Sequence, residues 1–253
     1  MKELPVDPVQ QQESPSGPVV GTRERIVRAA SQLMQRHGYD GTGIKQISVT
    51  ASATPGSVYH FFPGGKQELA VAVIRSGEQE FIDELSAVMR AESDPAEALR
   101  IFTELLADGL RASGWHSGCP VAATAIGASS RLPDIQAAAA EALSHWHELV
   151  FERLKEAGID EEEARELAHT VISTLEGAEL AAQLSRSREP LDLAGKHLAR
   201  LIEGSRRLAP APVGGGVGGG GGDGVGRGGG GGGGPPPPPP PPSPDGARTG
   251  DRR

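Results

Sequence analysis

Apolar residues recur at helical spacing along most of this chain, and the recurrence is interrupted at prolines and glycines. Ile26, Ala30, Leu33 and Met34 form the first stripe, which predicts a helix from Thr22 to about His37, closed by Gly38. Ile44, Ile47 and Ala51 stand at i, i+3 and i+7 and predict a helix over about 43–51, with Thr42 as its N-cap. Ser52 and Ala53 break that pattern, and Thr54 caps a second short helix over about 55–61. Pro55 suits its first position, where no intrahelical donor is needed. Ser57, three residues after Thr54, makes the cap a weaker relative of the capping box. Val58 and Phe61 are expected to face inward against Ile44 and Ile47. Pro63, Gly64 and Gly65 stop this helix, since proline blocks continuation and glycine accepts positive φ.

The remaining pattern reads as helix after helix. Leu69, Val73, Phe81, Leu85 and Val88 mark a long fourth helix from near Lys66. Asp94-Pro95 opens a fifth, striped by Ala98, Phe102, Leu105 and Gly109 and ending near Ser113. Pro120 starts a small helix to about Ala128; Pro133 starts a seventh, striped by Leu143, Trp146, Val150 and Leu154 and stopped by Gly158. In the last two helices Ala164, Ala168, Val171, Leu175, Ala178 and Ala182, then Leu191, Ala194, Leu198, Leu201 and Leu208, alternate spacings of four and three, missing at Ser205. Such seams suit a four-helix bundle shared by two subunits, with Gly177, Ala178 and Ala181 allowing close approach. The same stripes would also serve a protomer's own core. The short helices before Lys66 tip the reading to a homodimer: they form a helix-turn-helix, and one reading helix covers too few base pairs unless a two-fold pair matches a palindrome. Pro55, Gly56, Ser57, Tyr59 and His60 lie at the end of that helix that enters the major groove. Small residues permit close approach there, while Tyr59 and His60 can donate to phosphates or base edges. Thr42, Lys45, Thr54 and Lys66 complete the expected DNA-binding set.

At these residues the chain resembles a known family. ERIVRAASQLMQRHGYDGTGIKQISVTASATPGSVYHFFPGGKQEL follows the DNA-binding domain of TetR-type transcriptional regulators: helix, Gly-Tyr/Phe, Thr, helix, Gly-x-(Leu/Val)-Tyr-x-(His/Tyr)-Phe, then Lys-x-x-Leu. The extra Gly-Gly after Phe62-Pro63, together with Gly118-Cys119-Pro120, is similar to the LmrA/YxaF-like branch. One departure is Ser52-Ala53-Thr54, where the family has Ala-Gly-Val, so the turn lacks its glycine and is expected to be shaped differently. The resemblance implies a repressor released from a palindromic operator by a small hydrophobic ligand held in the helical body. Hydrophobic drugs or plant-type phenolics are the typical effectors of the branch, and export pumps the typical targets. Carried onto this chain, the ligand-binding candidates are Met89, Phe102, Leu105, Trp115, Cys119, Ile126 and Trp146.

Composition narrows the rest. With 37% hydrophobic and 4% aromatic residues the expected class is all-α, with an alanine-rich aliphatic core. The net charge of −8 divides unevenly: residues 21–75 hold seven basic and three acidic side chains, whereas 76–208 hold thirteen basic and twenty-four acidic. A basic module thus sits on an acidic body, and the module is the part drawn to phosphates. The expected organisation is a disordered segment over 1–20, a DNA-binding domain over 21–75, a ligand-binding and dimerisation domain over 76–208, and a disordered Gly/Pro-rich tail over 209–253 that includes eight consecutive prolines, Pro235 to Pro242. One cysteine excludes an intramolecular disulfide framework; with no signal peptide and no membrane-spanning run, a cytoplasmic protein is expected. No phosphate loop, nucleophile elbow or paired-carboxylate constellation suggests an enzyme or a cofactor. His145 and His147 point to different sides of a helix, and His116 with Cys119 falls short of a zinc site. The competing function is a helical ligand-binding or scaffold protein with a vestigial helix-turn-helix.

Overall fold

A computed structural model of the chain describes residues 21–208, and all regular structure among them is helical. The expectations for residues 1–20 and 209–253 lie outside the described residues. The elements are α1 (Thr22–His37), α2 (Ile44–Thr50), α3 (Pro55–Phe61), α4 (Gly65–Ala91), α5 (Pro95–Ala112), α6 (Pro120–Ala125), α7 (Pro133–Glu156), α8 (Glu161–Ser185) and α9 (Glu189–Leu208). Proline stands in the first turn of α3, α5, α6 and α7, where its missing N–H leaves no hydrogen bond unmade. Gly38 and Gly158 end their helices with φ of 67° and 86°.

α1, α2 and α3 close around Ile26, Ala30, Met34, Ile47, Val58 and Phe62, all at most 1% exposed. Val58 and Ile47 meet there as expected, whereas Phe61 and Ile44 are only partly buried and Phe62, just past the helix end, takes the deep position. α4 continues this core through Leu69, Val73 and Ile74 and runs unbroken past residue 75 into the body. There it meets α5 and α7, and α8 and α9 complete the bundle. α6 lies between the two parts: it contacts α1, α4 and α7, and its buried Thr124 hydroxyl donates to Met34 Sδ of α1 at 3.8 Å. No helix among the described residues is long and apolar enough to cross a membrane.

The stripes of α8 and α9 correct one expectation. Ala164, Ala168, Val171, Leu175 and Ala182 are buried, as are Leu191, Ala194 and Leu198, so these regular seams already face the protomer's own core. Periodicity reports that a face is covered and not by whom. The apolar residues these helices leave outside are Leu180, Leu184, Leu193 and Leu201.

Candidate nucleic-acid interface and cavity

Thr54 holds the start of α3. Its Oγ1 accepts from Ser57 N–H at 3.0 Å and lies 2.9 Å from the Ser57 hydroxyl, so Pro55 and Gly56 stand at an open, fixed N-terminus. Packing of Val58 into the core turns the other faces outward: Tyr59 is 53% exposed, His60 is exposed with its ring edge-on to Phe61 at 5.1 Å, and Ser57 is half-buried. Lys45 is exposed on α2. Lys66, in the first turn of α4, is half-buried with its amine 4.2 Å from the Tyr39 ring centroid, and that burial lowers its pKa from the usual lysine value.

Thr42 is placed otherwise than expected. It is 1% exposed and its hydroxyl donates to the Gly38 carbonyl at 2.8 Å, while Gly43 is the N-cap of α2 and makes no side-chain cap bond. Its side chain therefore secures the α1–α2 loop from inside instead of meeting DNA. The turn between α2 and α3 is made without a glycine. Ser52 itself takes the left-handed conformation, φ 49°, and Ala53 N–H reaches back to the Ser48 carbonyl at 2.9 Å. Sequence reading missed the role of Arg25, whose Nε donates to the Ala51 carbonyl at 3.3 Å and ties α1 to this turn. Its neighbours are also engaged: Arg23 sits over the Phe62 ring at 5.2 Å and Arg28 pairs with Glu24 at 3.0 Å.

The body contains a cavity of about 590 Å³ lined by α4, α5, α8, Trp146 of α7, and the Ser117–Pro120 segment that opens α6; Gln35 of α1 reaches it too. Of the expected ligand contacts, Leu105, Cys119 and Trp146 line it. Phe102 and Met89 do not: they are core, Phe102 edge-on to Phe81 at 5.3 Å and Met89 buried near the end of α4. Ile126 is 71% exposed beyond α6, and Trp115 belongs to a satellite cluster with Ala107, Leu110, Ala182 and Leu191. Phe81, absent from the expectation, stacks on Trp146 with centroids 4.2 Å apart and 27° between planes. The Trp146 indole N–H donates to the Glu78 carbonyl at 3.2 Å, which fixes the ring in the wall.

Carboxylates were also missed. Glu80 and Glu84 from α4 and Glu176 and Glu179 from α8 line the cavity. Burial, then the neighbouring Glu176 and Glu84, pushes Glu179 up to about 8; burial raises Glu176 and Glu84 as well. Burial, then Glu176 and Glu179, lifts the Cys119 thiol, whose Sγ accepts from Ala122 N–H at 3.4 Å. The available signal was Glu176 and Glu179 standing three apart in α8 between the apolar Ile172 and Ala182.

Residues 26–73 match bacterial regulatory proteins of the tetR family, and residues 95–197 match the C-terminal domain of LmrA/YxaF-like transcriptional regulators. The HTH-type transcriptional regulator LmrA of Bacillus subtilis (strain 168) is 32% identical over 170 residues, spanning 67% of this chain and 90% of LmrA. YxaF of the same organism, also an HTH-type transcriptional regulator, is 30% identical over 181 residues, spanning 72% and 95%. A crystal structure of a TetR transcriptional regulator from Legionella pneumophila shares the fold with a TM-score of 0.66 at 25% identity, over 73% of this chain and 98% of that one. Fold and interface together are those of a helix-turn-helix transcriptional regulator that binds DNA. The chain belongs to the TetR family, in its LmrA/YxaF-like branch.

Proposed function

We propose that the protein is a homodimeric repressor whose two reading heads, residues 21–75 of each subunit, hold a palindromic operator until a small hydrophobic effector enters the helical body. The observation that carries this reading is the shared boundary between head and cavity. Gln35 of α1, Gly77 of α4 and Pro120 of α6 all line the cavity, and α1 packs against both α4 and α6. A Cβ on Gly77 would lie 2.4 Å from Pro120 Cγ, so α4 and α6 have no slack between them. An occupant that displaces either helix must move the base of α1, and with it α3. The effector then acts by population shift, limited by its difference in affinity for the DNA-fitting and DNA-releasing states.

Dimerisation fits the outer faces of α8 and α9, where Leu180, Leu184, Leu193 and Leu201 are exposed. Tyr59, His60, Lys45 and the α3 N-terminus are the groups set toward the duplex, with Lys66 at the first turn of α4. The test is a mobility-shift titration with the DNA upstream of the protein's own gene. A specific complex is expected whose affinity falls by about 10³-fold between roughly 50 and 200 mM salt, and Tyr59→Ala should cost about 1–3 kcal/mol of it. A salt-insensitive complex, or one indifferent to Tyr59→Ala, would refute the reading.

A further inference from the structure

The cavity is not merely apolar. Its aromatic wall, Phe81 stacked on Trp146, is accompanied by Leu105 and Leu106, while α4 and α8 bring Glu84, Glu176 and Glu179 to the same space. No lysine, arginine or histidine lines it. Among the described residues the Glu179 carboxyl has neither a hydrogen-bond donor nor a cation as partner, although it is half-buried beside two other carboxyls. Ionising such an acid without a counter-charge is unfavourable, and here the carboxyl faces an open volume large enough for an organic molecule.

We propose that this cavity takes a lipophilic organic cation, its positive centre beside Glu179, Glu176 and Glu84 and its apolar body against Phe81, Trp146 and Leu105. This deepens the repressor reading and rests on it for any effect on DNA, though not for binding itself. A metal ion does not fit, because no three His, Cys, Asp or Glu side chains among the described residues converge as ligands. A cation spread over several ångströms can meet carboxyls from two helices at once and also gain from the faces of the rings. A neutral phenolic would find the same wall but leave the acids uncompensated. Burial holds Glu179 near pKa 8 in the empty protein, so a cation must displace its proton, and affinity rises with pH up to that value.

The experiment uses the full chain and two ions of nearly equal size and shape but opposite charge, tetraphenylphosphonium and tetraphenylborate, titrated by calorimetry. Tetraphenylphosphonium should bind at least about tenfold more tightly than tetraphenylborate at pH 8 and gain about fiftyfold between pH 6 and 8, because displacing one proton held at about 8 raises affinity by about tenfold per pH unit until that value is approached. Glu179→Gln and Glu84→Gln, measured side by side so that one misfolded variant does not remove the test, should each weaken it, and Glu179→Gln should flatten its pH dependence. Equal binding of the two ions, or tetraphenylphosphonium affinity unchanged in both variants, overturns the proposal. The same samples are added to the operator complex. Tight, glutamate-dependent binding that leaves the DNA complex intact supports the cation site and sinks effector-driven release. Release by neutral aromatics with no tetraphenylphosphonium binding sinks the cation site and keeps the repressor.

Discussion

Two side chains show how single residues hold this molecule away from its local optimum. Ser52 carries a Cβ into the left-handed region at the one turn that sets the angle between α2 and α3. That conformation costs a non-glycine residue of order 1 kcal/mol, and the turn keeps its shape because Ala51 and Ala53 are tied to the Ile47 and Ser48 carbonyls at 2.9 Å each. Ser52→Gly should therefore stabilise the fold by about 1 kcal/mol, seen as a rise of ~3 °C in thermal unfolding, while the β-branched Ser52→Val should lower it. Glu179 is the second case. Its folded pKa of about 8 exceeds the ordinary glutamate value of 4.5, so the folded state holds its proton more tightly than the unfolded chain does. Its contribution is intact below that ordinary value and is lost as pH rises through the folded pKa. The groups facing it, Glu176 on its own helix, Glu84 and Glu80 across on α4 and the Cys119 thiol at the start of α6, are acids, and the shifts of Glu84, Glu176 and Cys119 reinforce the trend. Calorimetric melting from pH 6 to 9 should show the wild type losing stability relative to Glu179→Gln, the gap widening by about 5 °C. A constant gap would refute the assignment.

At the scale of elements, what could be read from sequence was whatever a helix states about itself. Thr54-Pro55 announces α3 because cap and proline act within one turn, and the Asp94-Pro95, Pro120 and Pro133 starts are legible for the same reason. Thr42 misleads because a hydroxyl has two local choices: the next helix's donors or a carbonyl behind it. Tyr39, packed against the core, closes the loop so that Gly38 is nearer. The α5 stripe splits in a way no periodicity reveals: Ala98 and Phe102 enter the core, while Leu105 and Gly109, two turns on, line a cavity. Contacts between remote helices are likewise silent in sequence. Gly195 of α9 faces Thr103 of α5 so closely that a Cβ would stand 2.2 Å from Thr103 Oγ1, a hydroxyl already bound to the Arg100 carbonyl at 2.8 Å. Gly195→Ala gains helix propensity, but the overlap must push α9 off α5. Overpacking of this kind costs about 1–3 kcal/mol, so denaturant midpoints should fall despite the better helix former, and Thr103→Ala in the same chain should restore part of the loss.

For the whole molecule, the division of charge between a basic head and an acidic body was visible in composition, and the body's acids prove to have two fates. Most are solvated or paired, as Arg206–Asp94 at 2.7 Å and Arg188–Asp108 at 3.3 Å show, but Glu80, Glu84, Glu176 and Glu179 line the cavity. The regular seam along α8 faces inward for a related reason: the strongest heptad-like pattern is the one that holds the protomer together. What remains for a partner is the weaker pattern Gly177, Leu180, Ala181 and Leu184, followed on α9 by Leu193 and Leu201, small and branched residues on a solvent face where polar ones would otherwise stand. Leu184 is 78% exposed, so a charge there leaves the protomer's core untouched and can act only on what covers it. Leu180→Glu with Leu184→Glu would place like charges across the two-fold axis of the proposed dimer. The double variant should melt within about 2 °C of the wild type extrapolated to low concentration, sediment as a monomer, and bind operator at least ~10²-fold more weakly, because each half-site then has to be held by one head alone. Retained dimerisation would remove this face from the assembly, and a monomer with undiminished operator affinity would remove the two-fold reading of the DNA.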